Sequence, residues 1–198
     1  MNSNKFFNEL RNSAEEDTAV VANLRRSAAY EPGQYPPAFR YVEPFVQHLN
    51  EWERTATYMA AAYWALAIRM GRQDAESRTM PEGQSLPLAL RALQARIAKA
   101  SDNTSASKNI ENRFLSLLDA DTDELQWRLR RITSQLAAAD IAINWPSLLD
   151  DLRNWSNPRR RVQVDWARQF WSAPESTSKA DPDGGDKAKP KTKAKSNQ

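Results

Sequence analysis

The chain has 198 residues, with 28 Lys plus Arg against 25 Asp plus Glu, one His and no Cys. A formal charge of +3 is too small to announce a broadly polycationic binder. Without Cys there is no disulfide scaffold, thiol nucleophile or Cys-ligated metal centre, and a lone His48 excludes a multi-His metal site. No N-terminal segment has the charged-then-apolar pattern of a signal peptide. The longest apolar run, 58–68, rises about 16 Å as a helix, roughly half a bilayer's hydrocarbon core. It therefore reads as a buried central helix, and the chain as an intracellular, cytoplasmic protein without a membrane contact.

Phe6, Phe7 and Leu10 mark a short first helix. A second helix is expected over about 15–28, with Val20, Val21 and Leu24 inward and Arg25 and Arg26 near its C-terminal end. Pro32, Gly33, Pro36 and Pro37 interrupt the chain, and Pro44 is placed at the start of a short helical turn. The apolar helix follows over about 51–70, with Gly71 positioned as its C-terminal cap, then a polar loop over about 72–85. The next helix starts near Ser85 with Pro87 in its first turn, and Leu86, Leu90, Leu93 and Ile97 form one face. A Ser/Asn-rich joint is expected over 102–107.

Ile110, Phe114, Leu117 and Leu118 give the following stripe. Asp121 and Glu124 then fit the N-cap and third position of a helix whose inward face is Leu125, Leu129, Ile132 and Leu136. Asn144 caps a helix with Pro146 in its first turn and Leu148, Leu149, Leu152 and Trp155 inward. Asn157 and Pro158 fit the N-cap and first position of the last helix, with Val162, Trp166 and Phe170 on its face. The pattern is all-α: a single-domain bundle of about eight helices over 1–171. The tail, 172–198, has four Ala as its only apolar side chains and six of the chain's Lys. It reads as disordered, either a basic arm or a solubilising tail. Leaving it out, 22 basic residues face 21 acidic ones.

Catalytic and metal motifs are wanting. Asp119, Asp121 and Asp123 imitate the start of a calcium loop, but Glu124 and Arg130 stand where that loop needs Gly and Glu, so helix capping is the better reading. Asp150 and Asp151 diverge by about 100° on a helix, which suits a solvated face better than a shared metal or proton. His48 has no neighbouring carboxylate or Ser. No enzyme activity and no cofactor are expected.

The arginines are clustered. With Leu125, Leu129, Ile132 and Leu136 inward, Arg128 and Arg131 share one flank beside Gln135, and Arg130 lies on the other side. Arg113 takes the matching flank of the preceding stripe, so these side chains could line a groove between two helices. Arg159, Arg160 and Arg161 would sit in the first turn of the last helix, where the helix dipole opposes positive charge. An anion would relieve that conflict, since helix N-termini offer free N–H groups to phosphate; surface pairing with Asp150, Asp151 or Asp165 is the open alternative. No base-reading motif is evident.

Asn-Leu-Arg-Arg (23–26), Glu-Asn-Arg-Phe-Leu-Ser-Leu-Leu-Asp-Ala-Asp (111–121), Leu-Arg-Arg-Ile (129–132), Ile-Asn-Trp-Pro-Ser-Leu-Leu-Asp-Asp-Leu-Arg-Asn-Trp (143–155) and Val-Asp-Trp-Ala-Arg-Gln-Phe-Trp (164–171) occur in that order. The set resembles the CasB family, the small subunit of the type I-E CRISPR surveillance complex Cascade. It covers about 20–171, most clearly the C-terminal half. The resemblance implies a non-catalytic helical subunit, present as two copies. Its partners would be the backbone, large and guide-processing subunits, guide RNA and target DNA, and it would help stabilise the opened DNA. The family's basic positions match Arg25, Arg26, Arg113, Arg130 and Arg131. Arg128 is added from its flank, and Arg159, Arg160 and Arg161 on charge alone. A protein-only helical adaptor is the alternative.

Overall fold

The most apolar stretch of the chain becomes its centre. In the computed structural model, which describes residues 1–68, 83–100 and 104–172, α4 (Glu51–Ala67) buries ten consecutive residues, 56–65, five of them Ala. Small side chains let neighbours approach closely from every direction. α2 (Ala19–Ser27), α3 (Phe39–Val46), α7 (Thr122–Ala138) and α8 (Trp145–Arg153) all pack on α4. A helix covered all round carries no polar stripe, and 58–68 accordingly holds no charged side chain. Its N-terminus is closed by a capping box. Asn50 Oδ1 accepts from the Glu53 N–H at 2.9 Å, and the Glu53 carboxylate accepts from the Asn50 N–H at 3.2 Å, an arrangement whose loss costs about 0.5–2 kcal/mol.

Around this hub, α1 (Ser3–Glu16) packs on α2 and α8. α5 (Leu86–Ala100) packs on α6 (Thr104–Leu118) and α9 (Arg161–Trp171), and α6 also meets α7. The α4–α7 contact joins the two groups, tied by the Tyr63 hydroxyl donating to the Gln126 carbonyl at 2.6 Å. One hydrophobic core runs through both. Its aromatic members interlock: Phe114 stacks on Phe170 at 4.3 Å and Trp155 tilts against Trp166 at 5.1 Å.

The described residues form nine α-helices and one 3-10 turn, Pro36–Ala38, with no strand, so the fold is all-α. An isolated parallel bridge pairs Gln84 with Ile143, where the Asn144 N–H donates to the Gln84 carbonyl at 2.9 Å. Gly83 is required there, because a Cβ would fall 2.2 Å from the Ile143 carbonyl carbon.

Several element boundaries differ from the sequence expectation. The first helix is long, Ser3–Glu16, and the second begins only at Ala19. Asp17 separates them in an extended conformation, its carboxylate accepting from the Ala19 N–H at 2.8 Å. Pro44 lies inside α3, not at a helix start. The expected joint over 102–107 is helical from Thr104 onward. Asn157 and Pro158 precede α9 without starting it. Asn157 Oδ1 accepts from the Arg159 N–H at 2.9 Å in a local turn, and Arg160 occupies the N-cap. Short polar side chains can close such a turn as readily as they cap a helix. Gly71, most of the 72–85 loop, and the tail beyond Ser172 lie outside the described residues.

Candidate nucleic-acid interface

α6 and α7 each bury an apolar stripe and turn a polar flank towards the other. On α6, Ile110, Phe114 and Leu117 are buried, which leaves Asn109, Asn112, Arg113 and Ser116 along one edge. On α7, burial of Leu125, Leu129, Ile132 and Leu136 leaves Arg128 and Arg131 on the facing edge. Between them runs an open groove of about 450 Å³ lined by these two polar edges and Ile132. The sequence anticipated the meeting of Arg113, Arg128 and Arg131. It missed Asn109, Asn112 and Ser116, although 109, 112, 113 and 116 follow helical-face spacing.

The three guanidinium groups are held differently. Arg113 donates to Gln135 Oε1 across the groove at 2.7 Å. Arg128 donates to the Ser116 carbonyl at 2.7 Å and to the Glu124 carboxylate at 2.5 Å. Arg131 is exposed and joins none of the ion pairs among the described residues. Arg113 and Arg128 are thus oriented by neighbours while Arg131 is open to an incoming anion. Amide, hydroxyl and guanidinium donors on one concave strip are a chemistry suited to phosphate oxygens.

The remaining predicted residues are dispersed. Arg25 caps a helix: it donates to the Ala65 carbonyl at 3.3 Å and the Ile68 carbonyl at 2.6 Å, at the C-terminal end of α4. Arg26 is exposed on α2, which packs against α1, the 3-10 turn and α4 and is separate from the groove. Arg130 points away from the groove towards Tyr63. Burial pushes that phenol's pKa well up, and the nearby Arg130 charge opposes the rise.

Arg159, Arg160 and Arg161 do not share a helical first turn: Arg161 alone begins α9. Arg160 adopts a left-handed conformation, φ 49° and ψ 38°, which costs a non-glycine residue about 1–2 kcal/mol. Its guanidinium donates to the Leu118 carbonyl and lies 3.9 Å from the Asp119 carboxylate. Arg128 and Arg160 therefore both satisfy carbonyls in the last turn of α6, at its negative dipole end. Of the acids proposed as partners for this triplet, Asp165 pairs with Arg168 at 3.3 Å.

Of the pair expected on a solvated face, Asp150 is exposed and Asp151 is partly buried. Asp150 accepts from the Ser3 hydroxyl and so ties α8 to α1. Asp151 accepts from Trp166 Nε1 at 2.7 Å. Burial raises the Asp151 pKa, the Trp166 bond counters it, and the Asp150 and Asp165 charges add to the rise. Asp121 serves as the N-cap of α7, accepting from the Asp123 and Glu124 N–H groups. Among the described residues no cluster of His, Asp or Glu is arranged to hold a metal, and no helix is long and apolar enough to cross a membrane.

The model of the CRISPR-associated protein Cse2 family matches residues 20–171. A Cse2 protein of Thermus thermophilus is 38% identical over 159 residues, covering 79% of this chain and 80% of that one. The crystal structure of CasB from Thermus thermophilus superposes with a TM-score of 0.67 at 35% identity, over 86% of this chain and 98% of the other. A chain of a CRISPR RNA-guided surveillance complex shares the fold at a TM-score of 0.66 and 22% identity, over 85% of this chain and 91% of that one. With a family model spanning α2 to α9 and a relative of this identity and coverage, the chain belongs to the CRISPR-associated Cse2 family, whose solved members include CasB.

Proposed function

We propose that this chain is the non-catalytic small subunit of a type I-E Cascade complex, and that the α6–α7 groove holds nucleic-acid backbone to stabilise the R-loop. The observation that carries this reading is the convergence of Arg113, Arg128 and Arg131 on one groove of a chain whose net charge is only +3. Forming a guide–target heteroduplex in place of a DNA duplex is nearly balanced in free energy, so a few backbone contacts suffice to tip it. Backbone binding needs no base-reading motif, in keeping with sequence choice left to the guide RNA. Under this reading the partners are the other Cascade subunits, guide RNA, target DNA and a second copy of the chain. Arg26, Arg159 and Arg161 are further exposed contacts, Arg25 and Arg160 act mainly by holding helix ends, and Arg130 lies off the groove beside Tyr63.

The test is Arg131→Glu, alone and with Arg113→Glu, in complexes reconstituted with guide RNA. Target retention should weaken about tenfold or more for any target sequence, and the dependence of affinity on salt should flatten by about one phosphate per lost contact. Variants that assemble and hold target with an unchanged salt slope would refute it.

A protein-only adaptor is the second reading. It is favoured by Leu115, Val164 and Trp171, large apolar side chains left exposed on α6 and α9. It predicts that the Arg variants retain target normally, while changes at these apolar residues prevent incorporation into the complex.

A further inference from the structure

Trp127 stands out among the tryptophans. Trp52, Trp155, Trp166 and Trp171 each donate the indole N–H to a carbonyl or carboxylate, and Trp64 and Trp145 are buried. Trp127 is 52% exposed, takes part in none of the hydrogen bonds or ring contacts among the described residues, and lies on the outer ridge of α7. At 100° per residue, Arg131 stands about 40° to one side of it and Arg130 about 60° to the other, both one turn towards the C-terminus. Arg128 lies a further 60° beyond Arg131 on the groove side. The opposite turn carries Asp123 and Glu124, the latter bonded to Arg128. The ridge is therefore acidic ahead of the ring and basic behind it.

From this juxtaposition we infer that Trp127 is a stacking platform for an unpaired nucleotide base whose flanking phosphates lie on Arg131 and the α6–α7 groove. The inference rests on the proposed backbone-binding role of that groove and adds to it a preference for single-stranded over duplex nucleic acid. A flat aromatic face next to a basic groove is the arrangement that single strands exploit. Their bases are free to stack on a side chain, whereas bases in a duplex already stack on one another. Glu124 is already neutralised by Arg128, but Asp123 disfavours phosphate on that side, so the strand's favoured exit is towards Arg131. Stacking depends on a π-face and not on base edges, so the preference is for strandedness, not for sequence.

The experiment measures binding of the full chain to a labelled oligothymidylate of about 20 nucleotides, and to a duplex of equal length, by fluorescence anisotropy across a salt series. Trp127→Ala should weaken oligothymidylate binding about tenfold with an unchanged salt slope, since no charge is removed. Trp127→Tyr should recover most of the affinity, and duplex binding should change less than twofold. Arg131→Ala should instead flatten the slope for both ligands, by about 0.7 for the single strand. If Trp127→Ala binds the single strand like the wild type while Arg131→Ala is weakened, stacking is overturned and the groove stands. Equal losses on single strand and duplex also overturn it. If Trp127→Ala binds normally but fails to enter the reconstituted complex, the ring docks protein instead. An inert Arg131→Ala, or a wild-type chain that binds neither ligand at low salt, overturns both the groove and the platform.

Discussion

Arg25 on α2 and Arg131 on α7 put the same side chain to opposite uses. Arg25 leaves the last turn of α2, crosses to α4 and donates to the Ala65 and Ile68 carbonyls. Arg131 leaves α7 beside an open groove and joins none of the described ion pairs. The end of α4 is a place where the fold consumes positive charge, because a helix C-terminus leaves carbonyls without N–H partners. The α6–α7 edge has that demand met by Arg128 and Arg160, and Arg131 remains over. An Arg pair in sequence is thus no evidence of a binding patch until its helix-end duties are counted. Arg96, which donates to the Ala139 carbonyl at the C-terminal end of α7, repeats the structural use.

That contrast can be broken at several strengths. The largest effect is expected from Phe114→Ala. Phe114 is fully buried, stacks on Phe170 and sits next to Arg113 in the wall between α6 and α9. Removing a buried aromatic of this kind costs about 3–5 kcal/mol. Urea denaturation should show the loss, and target binding should fall with it because the α6 edge of the groove loses its support.

Arg25→Ala should cost about 1–3 kcal/mol, since two carbonyls lose a charged donor, and should leave the salt slope of target binding unchanged. Arg131→Ala should do the reverse, with stability within about 0.5 kcal/mol of wild type and a flattened slope. If Arg25→Ala flattened the slope while the fold kept its stability, the division between capping and binding arginines would be wrong.

The smallest effect concerns Asp151. Burial raises its folded pKa, so the fold favours the protonated form. Stability is then highest where the folded and unfolded states are both protonated. It falls as pH rises from the ordinary carboxylate value through the raised folded value, and the full penalty is present above it. Asp151→Asn can still accept from Trp166 Nε1 and lacks that decline. Its melting temperature should therefore gain on the wild type by about 1–2 °C between pH 4 and 7. A gap that narrows with rising pH would reverse the assignment.

Much of this was legible in the chain. The 4, 3, 4 spacings placed Leu125, Leu129, Ile132 and Leu136 inside, and burial of all four follows. The same helical arithmetic put Arg128, Arg131 and Arg113 on facing flanks, where the groove now lies. Asp121 and Asn144 were readable as caps because an N-cap side chain bonds within three residues of itself. Helix C-termini were not readable in this way. Their partners are Arg25 for α4, 40 and 43 residues away, and Arg128 and Arg160 for α6, 12 and 42 residues away. Nor could spacing show that Asn157 closes a turn before Arg160.

What the sequence determined by itself is the all-α class, the inward faces and the family, because helical period and local capping act within one or two turns. Only the tertiary structure decided which arginines are free. A carbonyl at a helix end takes whichever donor the packing brings near it, and that proximity is set by contacts between segments far apart in the chain.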